Sequence, residues 1–138
     1  MKHTLQTTMF RTGCILAAFA VILGAFGAHV LKSILTEQQL QSYEAGVRYH
    51  VMHVLAILLG ALYAGKLPDR VLRVAYRLFF TGIILFSGSI YLLTTGPALL
   101  NMSFKWLGPV TPLGGLCFIS GWLWLAWHAK KIGGIQVE

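Results

Sequence analysis

Charged side chains are scarce in this chain, and acidic ones are the scarcest. Charged residues make up 11% of the 138 residues, with four acidic against eleven basic ones, whereas a soluble domain averages about 25%. Because 57% of the residues are hydrophobic, this composition excludes an ordinary water-soluble domain and indicates a chain that lies in lipid. The length suits one compact unit, since a second domain would have too few residues to bury its own core.

Cysteine is also scarce, and its positions exclude the common zinc patterns. Cys14 and Cys117 both fall inside apolar segments, where free cysteine behaves as a small hydrophobic residue. Neither has a second cysteine or a histidine at the short spacings of a structural zinc site. We therefore expect two free thiols.

Four apolar segments are long enough to cross a bilayer, which takes roughly 20 mostly apolar residues. None alternates with the period of two that is typical of a β-barrel strand. The predicted fold class is an all-α integral membrane bundle of four transmembrane helices, in a single domain. The spans are predicted at about residues 12–31, 45–65, 72–95 and 110–128. Because the first span is longer than the apolar core of a signal peptide, we expect it to be an uncleaved anchor.

The basic residues occur in short clusters between the apolar runs, which argues against a nucleic-acid-binding surface. Positive residues are retained on the cytoplasmic side of a membrane, and eight of the eleven fall on the side shared by both chain ends. We therefore expect both termini to be cytoplasmic. Arg70, Arg73 and Arg77 recur at helical spacing and form a stripe suited to contact with lipid headgroups.

Two loop segments carry helix-start signals. Thr36 is followed three residues later by Gln39, the spacing of a capping box, and predicts a short amphipathic helix between the first two spans. Thr111 followed by Pro112 is typical of the cap and first residue of a helix, here the last span.

The first span has two faces of small residues, and one of them includes a histidine. Ala18, Ile22, Ala25 and His29 share a face at 100° per residue. Small residues four apart mark contact faces in lipid. We therefore expect this helix to lie centrally, with His29 facing the bundle interior near its outer end.

Polar side chains of all four spans are predicted to meet at one level, in the outer half of the bundle, when each residue is given a rise of 1.5 Å. The predicted polar site consists of His29, Tyr49, His53, Ser87, Ser89, Tyr91 and Thr111. An ionisable residue inside a span is costly and marks function when it faces the interior. A neutral imidazole that hydrogen-bonds across helices, however, also stabilises the packing. Both interpretations stay open.

Metal ligation and covalent catalysis are the sharpest alternatives for these residues. His50 and His53 are three residues apart, which permits shared ligation, and His29 would supply a third nitrogen. Ser87 and Ser89 lie in "FSGS" with no strand before them, so they do not form a nucleophile elbow. The sequence therefore predicts no catalytic residue, no resident metal and no cofactor.

Four segments together resemble a known family of small membrane proteins. They read "LGAFGAHVL", "GVRYHVMHVLAILLG", "LFSGSIYLL" and "TPLGGLCFISGWLWLAW" and cover nearly the whole chain in order. The family is catalogued as domain of unknown function 423 and includes bacterial inner-membrane proteins and a eukaryotic four-span relative. The resemblance implies a multi-pass protein of the bacterial inner membrane. Its motif positions correspond here to His29, Tyr49, His53, Ser87, Ser89 and Thr111 to Gly115. Many relatives carry another polar residue, commonly glutamine, at the position of His50, which argues against a three-histidine site.

Three classes of function remain. The first is a non-enzymatic scaffold or binding protein, whose partners would be membrane lipids, a second copy of the chain or another membrane protein, and not nucleic acid. The second is a small homo-oligomeric transporter or proton-linked channel, since imidazole titrates near pH 6.5, although neither a mid-span carboxylate nor an inverted repeat supports it. The third is a metal- or haem-binding membrane protein. We expect the first.

Overall fold

A computed structural model describes residues 2–128, with side chains from residue 4 onward, and within this part all regular structure is helical. Four helical stretches in it are long and apolar enough to cross a membrane, which confirms the predicted four-span all-α architecture. They are Thr4–Ser33, Glu37–Leu62, Asp69–Leu99 and Lys105–His128.

Five α-helices build these spans, together with a π-helical segment and two short 3-10 turns. The α-helices are α1 (Lys2–His29), α2 (Glu37–Leu62), α3 (Asp69–Gly82), α4 (Ser89–Leu99) and α5 (Val110–His128). The π-helical segment, Ile83–Gly88, joins α3 to α4 within the third span, and the 3-10 turns cover Leu31–Ser33 and Lys105–Leu107. The predicted limits of the fourth span, residues 110–128, coincide with those of α5.

The capping box after the first span forms, but the helix that it opens is not a separate element. Thr36 N–H donates to Gln39 Oε1 at 3.0 Å, and Thr36 Oγ1 accepts from Gln39 N–H at 3.3 Å. From Glu37 the helix then runs without interruption to Leu62, because no proline separates the amphipathic turns from the apolar ones. The predicted amphipathic segment is therefore helical and leads into the second span, as the first turns of α2.

The helix α1 lies at the edge of the bundle and packs mainly on α2. Gly13 contacts Leu58, and Gly27 contacts the ring of Tyr43, so glycines on one face of α1 receive large side chains of α2. The other small-residue face is exposed, so the expectation of a central first helix is wrong. Lipid tails are as apolar as the helix surface, and composition alone therefore leaves open which apolar face turns inward.

The third span and α5 approach each other more closely. A Cβ atom on Gly114 would overlap the backbone of Phe86, and one on Gly82 would overlap the ring of Phe118. The indole Nε1–H of Trp124 also donates to the carbonyl oxygen of Val71 at 3.2 Å. These glycines allow the two backbones to come together, as small residues do in membrane helix pairs.

Two apolar clusters leave a polar level between them. The larger cluster takes in Val54 and Ile57 of α2, while the smaller one holds Leu31, Leu35 and Tyr43. Along α2, the buried residues between Tyr43 and Val54 include both histidines of that helix. The candidate site lies at this level.

Candidate polar site

The helix α2 supplies the centre of the polar site. Gly46, His50 and His53 follow one another at spacings of four and three residues, which puts them on one helical face. His50 is 3% exposed and His53 is 1% exposed. Because a buried polar group without a partner is costly, the contacts of these two rings decide what the site can do.

Both ring nitrogens of His53 are occupied by the protein. The indole Nε1–H of Trp122, which can only donate, donates to His53 Nε2 at 3.1 Å. His53 Nδ1 therefore carries the proton and donates to the backbone carbonyl of Tyr49 at 2.8 Å. The ring also stacks on Phe118, with centroids 3.5 Å apart and planes within 7°. This neutral imidazole links α2 to α5 and leaves no lone pair for a metal or a ligand.

Only one of the two ring nitrogens of His50 has a hydrogen-bond partner among the described residues. Its Nδ1 lies 3.1 Å from the hydroxyl of Tyr91. Its Nε2 is buried and has no hydrogen-bond partner among the described residues. His50 is therefore the residue of the site with unused hydrogen-bonding capacity.

The π-helical segment brings the third span into the site. Ser87 Oγ donates to the backbone carbonyl of Gly46 at 2.8 Å. Ser89 Oγ lies 2.6 Å from Thr111 Oγ1 on α5 and 3.0 Å from the carbonyl oxygen of Phe86, to which it donates. A π-helical turn is rare and is often found at functional sites. Here it places one serine toward α2 and another toward α5.

Thr111 has a different role from the predicted helix cap. The helix α5 already begins at Val110, so Thr111 lies in its first turn, and its hydroxyl bonds across to Ser89. A side chain that was expected to serve its own helix therefore joins two spans.

Tyr49 lies at the edge of the site. Its carbonyl oxygen accepts a hydrogen bond from His53 Nδ1–H, and its ring contacts that of Phe86 at a centroid distance of 4.8 Å. The side chain is 41% exposed. Tyr49 therefore holds His53 through its backbone and presents its phenol to the outside of the bundle.

His29 does not join this group. It is the last residue of α1, and its side chain is exposed. The face of α1 that packs on α2 instead carries Gly24 and Gly27. The expectation that His29 faces the bundle interior is wrong, because the helix presents its other small-residue face to α2. The proposed convergence of four spans is thus a convergence of α2, the third span and α5.

Three residues of the site were missed by sequence reasoning. Trp122 donates a hydrogen bond to His53, and Phe118 stacks on the His53 ring. The ring of Tyr43 lies 5.1 Å from that of Tyr91, tilted by 48°, and its hydroxyl donates to the carbonyl of Leu23 at 2.8 Å. A signal for each was present. Tyr43 lies on the Gly46 and His50 face of α2, and Phe118 and Trp122 follow Gly114 at intervals of four.

The remaining predictions concern the basic stripe on α3 and a metal site. Arg70, Arg73 and Arg77 are exposed at the start of α3, as the headgroup prediction requires, but their contact with lipid stays a prediction. No three histidine, cysteine or acidic side chains come together as a metal-ligand set within residues 4–128. His29, His50 and His53 in particular do not converge. What the described arrangement provides chemically is a set of neutral hydrogen bonds between helices.

Comparison with known proteins gives the chain a family. Residues 23–115 match the family model described as protein of unknown function, DUF423. The chain is 41% identical to the UPF0382 membrane protein YwdK of Bacillus subtilis over 86% of this chain and 93% of the relative. It is 38% identical to UPF0382 membrane protein SAB0533 of Staphylococcus aureus, over 88% of this chain and 94% of the relative.

A third relative comes from another bacterium. The chain is 37% identical to a UPF0382 membrane protein of Haemophilus influenzae, over 82% of this chain and 86% of that protein. No solved structure matches the chain. The sequence match and the four apolar helices agree, and this chain belongs to the UPF0382 (DUF423) family of multi-pass membrane proteins.

Proposed function

We propose that this membrane protein is a non-enzymatic scaffold or binding protein, in which the polar side chains hold α2, the third span and α5 together. The observation that carries the proposal is His53, whose two nitrogens are both occupied by Trp122 and the Tyr49 carbonyl. A ring that is fully bonded and 1% exposed has no free atom with which to bind a substrate or relay a proton.

The energetics of membrane proteins support a structural role for these contacts. Lipid provides no hydrophobic driving force between helices, so association depends on packing and interhelical hydrogen bonds. Each such bond contributes about 0.6 kcal/mol on average and up to about 1.7 kcal/mol. His53 adds a stack on Phe118, and Ser89 adds a bond to Thr111. Together these contacts stabilise one arrangement of three spans.

Thermal unfolding in a mild detergent tests the proposal with a matched pair of histidines. We expect His53→Ala to lower the free energy of unfolding by about 2–4 kcal/mol, in the range for buried large-to-small changes. We expect His29→Ala, at an exposed position, to leave it unchanged. A His53→Ala protein that is as stable as the unchanged protein would overturn the structural role of His53.

His50 favours a second candidate, a proton-linked channel or transporter. Its Nε2 is the buried polar atom without a partner in the described part of the chain, and its Nδ1 lies against the Tyr91 hydroxyl. Imidazole exchanges protons near neutral pH, so a donor or water reaching Nε2 would complete a relay. Proton flux into proteoliposomes, compared between the unchanged protein and His50→Gln, tests this candidate, and equal flux in the two would remove it.

The proposal also includes the location and the topology of the protein. We assign it to the bacterial inner membrane with both termini in the cytoplasm, because basic residues are in excess on the side of the membrane that both termini share. Reporter fusions at each terminus, and a thiol-specific label on a cysteine replacing Lys32, test this topology. Labelling of position 32 from the cytoplasmic side would contradict it.

A further inference from the structure

The first transmembrane helix is longer than the bilayer core requires. Its span Thr4–Ser33 has 30 residues and extends about 45 Å at 1.5 Å per residue, against roughly 30 Å of hydrocarbon. The predicted apolar span begins only at about residue 12. The first turns of α1 therefore lie at the level of the lipid headgroups, beside the start of α3, where Tyr76 O–H donates to Thr12 Oγ1 at 3.2 Å.

A groove runs along these turns. A cleft of about 310 Å³ lies between α1 and α3, and an open depression on the surface of α1, lined by residues of that helix, adjoins it. Thr4 and Thr8 line both and make them continuous. The polar lining consists of hydroxyls and guanidinium groups, from Thr4, Thr7, Thr8, Thr12, Tyr76, Arg11, Arg73 and Arg77. The guanidinium groups only donate hydrogen bonds. The Thr8 hydroxyl already donates to the carbonyl oxygen of Thr4 at 2.7 Å and the Tyr76 hydroxyl to Thr12 Oγ1 at 3.2 Å, so the arginines are the main donors that face the groove.

The three arginines of the groove have no acidic partner. Among residues 4–128, the one ion pair within 4.0 Å is Glu44 with Arg48, at 3.9 Å, at the opposite end of α2. Asp69, four residues before Arg73, does not pair with it. The groove therefore concentrates positive charge that the described part of the protein leaves uncompensated, which favours an anionic ligand.

The face of α1 above the groove changes from polar to apolar. At 100° per residue, Thr8, Thr12, Ile15, Phe19 and Ile22 fall within one narrow sector of the helix. Ile15, Phe19 and Ile22 are all exposed. Hydroxyls at the membrane surface followed by an apolar track toward the bilayer centre match the order of headgroup and acyl chain in a phospholipid.

We propose that this groove is a binding site for an anionic phospholipid of the adjacent leaflet. The phosphate binds the guanidinium groups of Arg11, Arg73 and Arg77 and the hydroxyls of Thr4 and Thr12, and an acyl chain follows Ile15, Phe19 and Ile22. Arg70 belongs to the same basic stripe but does not line the groove. The site shares no residue with the His53 contacts. Failure of the lipid-binding experiment therefore leaves the scaffold proposal intact, and the reverse also holds.

Lipid titration of the detergent-purified protein, followed by native mass spectrometry, tests the site. We expect phosphatidylglycerol and cardiolipin to be retained and phosphatidylcholine to be lost. A basic residue near anionic lipid contributes roughly a fivefold change in affinity, so Arg77→Gln should weaken phosphatidylglycerol binding about fivefold and Arg73→Gln with Arg77→Gln about thirtyfold. Thr4→Val should also weaken it, because it removes a hydroxyl that lines the groove without changing the side-chain shape.

Arg70→Gln is the matched control, with the same charge change about two turns from Arg77, and should alter binding less than twofold. If Arg70→Gln weakens binding as much as Arg77→Gln, the helix has only general surface charge and the proposal is wrong. Equal retention of phosphatidylcholine would also overturn it, as would displacement of the lipid by an equal concentration of inorganic phosphate. If the double variant does not fold, Arg77→Gln and Thr4→Val, at unchanged lipid-free melting temperatures, decide the outcome.

Discussion

The interface that joins α2, the third span and α5 is built differently from the interface between α1 and α2. In the first, the backbone of Gly114 meets that of Phe86. Beside bonds to backbone carbonyls, such as that from Ser87 to Gly46, this interface also has bonds between two side chains, as between Trp122 and His53. In the second, glycines meet side chains. Its hydrogen bonds end on backbone carbonyls, as in the bond from Tyr43 O–H to Leu23.

The difference teaches which contacts specify the arrangement of helices in lipid. A side-chain pair forms in one register only, whereas every helix presents carbonyl oxygens at every turn. Close backbone approach also requires glycine at one position, whereas a large side chain adapts its rotamer. The three-helix interface therefore defines a unique geometry, and α1 packs on it mainly by shape.

The largest expected effect comes from placing one methyl group on each interface. Gly114→Ala introduces a Cβ that overlaps the Phe86 backbone, so the two helices must separate, and we expect a loss of about 3 kcal/mol or more, at or above the usual overpacking range. Gly24→Ala places its Cβ 3.5 Å from Val47 Cγ1, an ordinary contact, and gains helix propensity. Unfolding in mixed detergent measures both, and equal losses would remove the distinction between the interfaces.

A double-mutant cycle sharpens the comparison at the side-chain level. His53→Phe and Trp122→Phe each leave the other partner without its bond, so the double variant should be more stable than the sum of the single losses predicts. We expect a coupling energy of about 1 kcal/mol from denaturation curves. A coupling near zero would mean that the 3.1 Å contact contributes nothing to stability.

Thr111→Val should have a smaller effect. The change removes the hydroxyl that lies 2.6 Å from Ser89 Oγ and keeps the side-chain shape, so a loss of about 0.6 kcal/mol is expected in the melting curve. Thr95→Val is the control, because its hydroxyl donates only to the Tyr91 carbonyl of its own helix. Equal losses in the two variants would show that the bond between spans has no special weight.

The smallest effect is expected at the α1 interface. Gln6 Nε2 donates to the carbonyl oxygen of Ala61 at 3.1 Å, but that oxygen also accepts from the backbone N–H of Ala64 at 3.3 Å. Gln6→Leu therefore leaves no acceptor without a partner and should cost less than about 0.5 kcal/mol in thermal unfolding. A loss above 1 kcal/mol would place α1 among the helices held by specific bonds.

Hydropathy located the spans well, but not the ends of every helix. The limits predicted for the fourth span, residues 110–128, are those of α5, because glycine and proline precede that helix, although the helical stretch as a whole begins at Lys105. The first was predicted from about residue 12, whereas α1 begins at Lys2. Threonine and glutamine are compatible with a helix although they are not apolar, so hydropathy marks the part of the helix in hydrocarbon and not the whole element.

The candidate site was predicted in part. His53, Ser87, Ser89, Tyr91 and Thr111 do make polar contacts between or beside spans, and helical periodicity placed them together. Neither the π-helical segment nor the partner choice followed from periodicity. The assignment of His53 to Trp122, and not to His29, depends on which face α1 turns toward α2.

The amino-acid sequence by itself determined that the protein lies in lipid, how many times it spans the membrane and at which depth its polar side chains lie. These follow from the transfer of each residue between water and lipid and from the constant rise of a helix. Only the tertiary structure decided which faces meet. In lipid, apolar faces are equivalent until glycine positions and side-chain shapes allow one pair to approach closely, and no single helix contains that information.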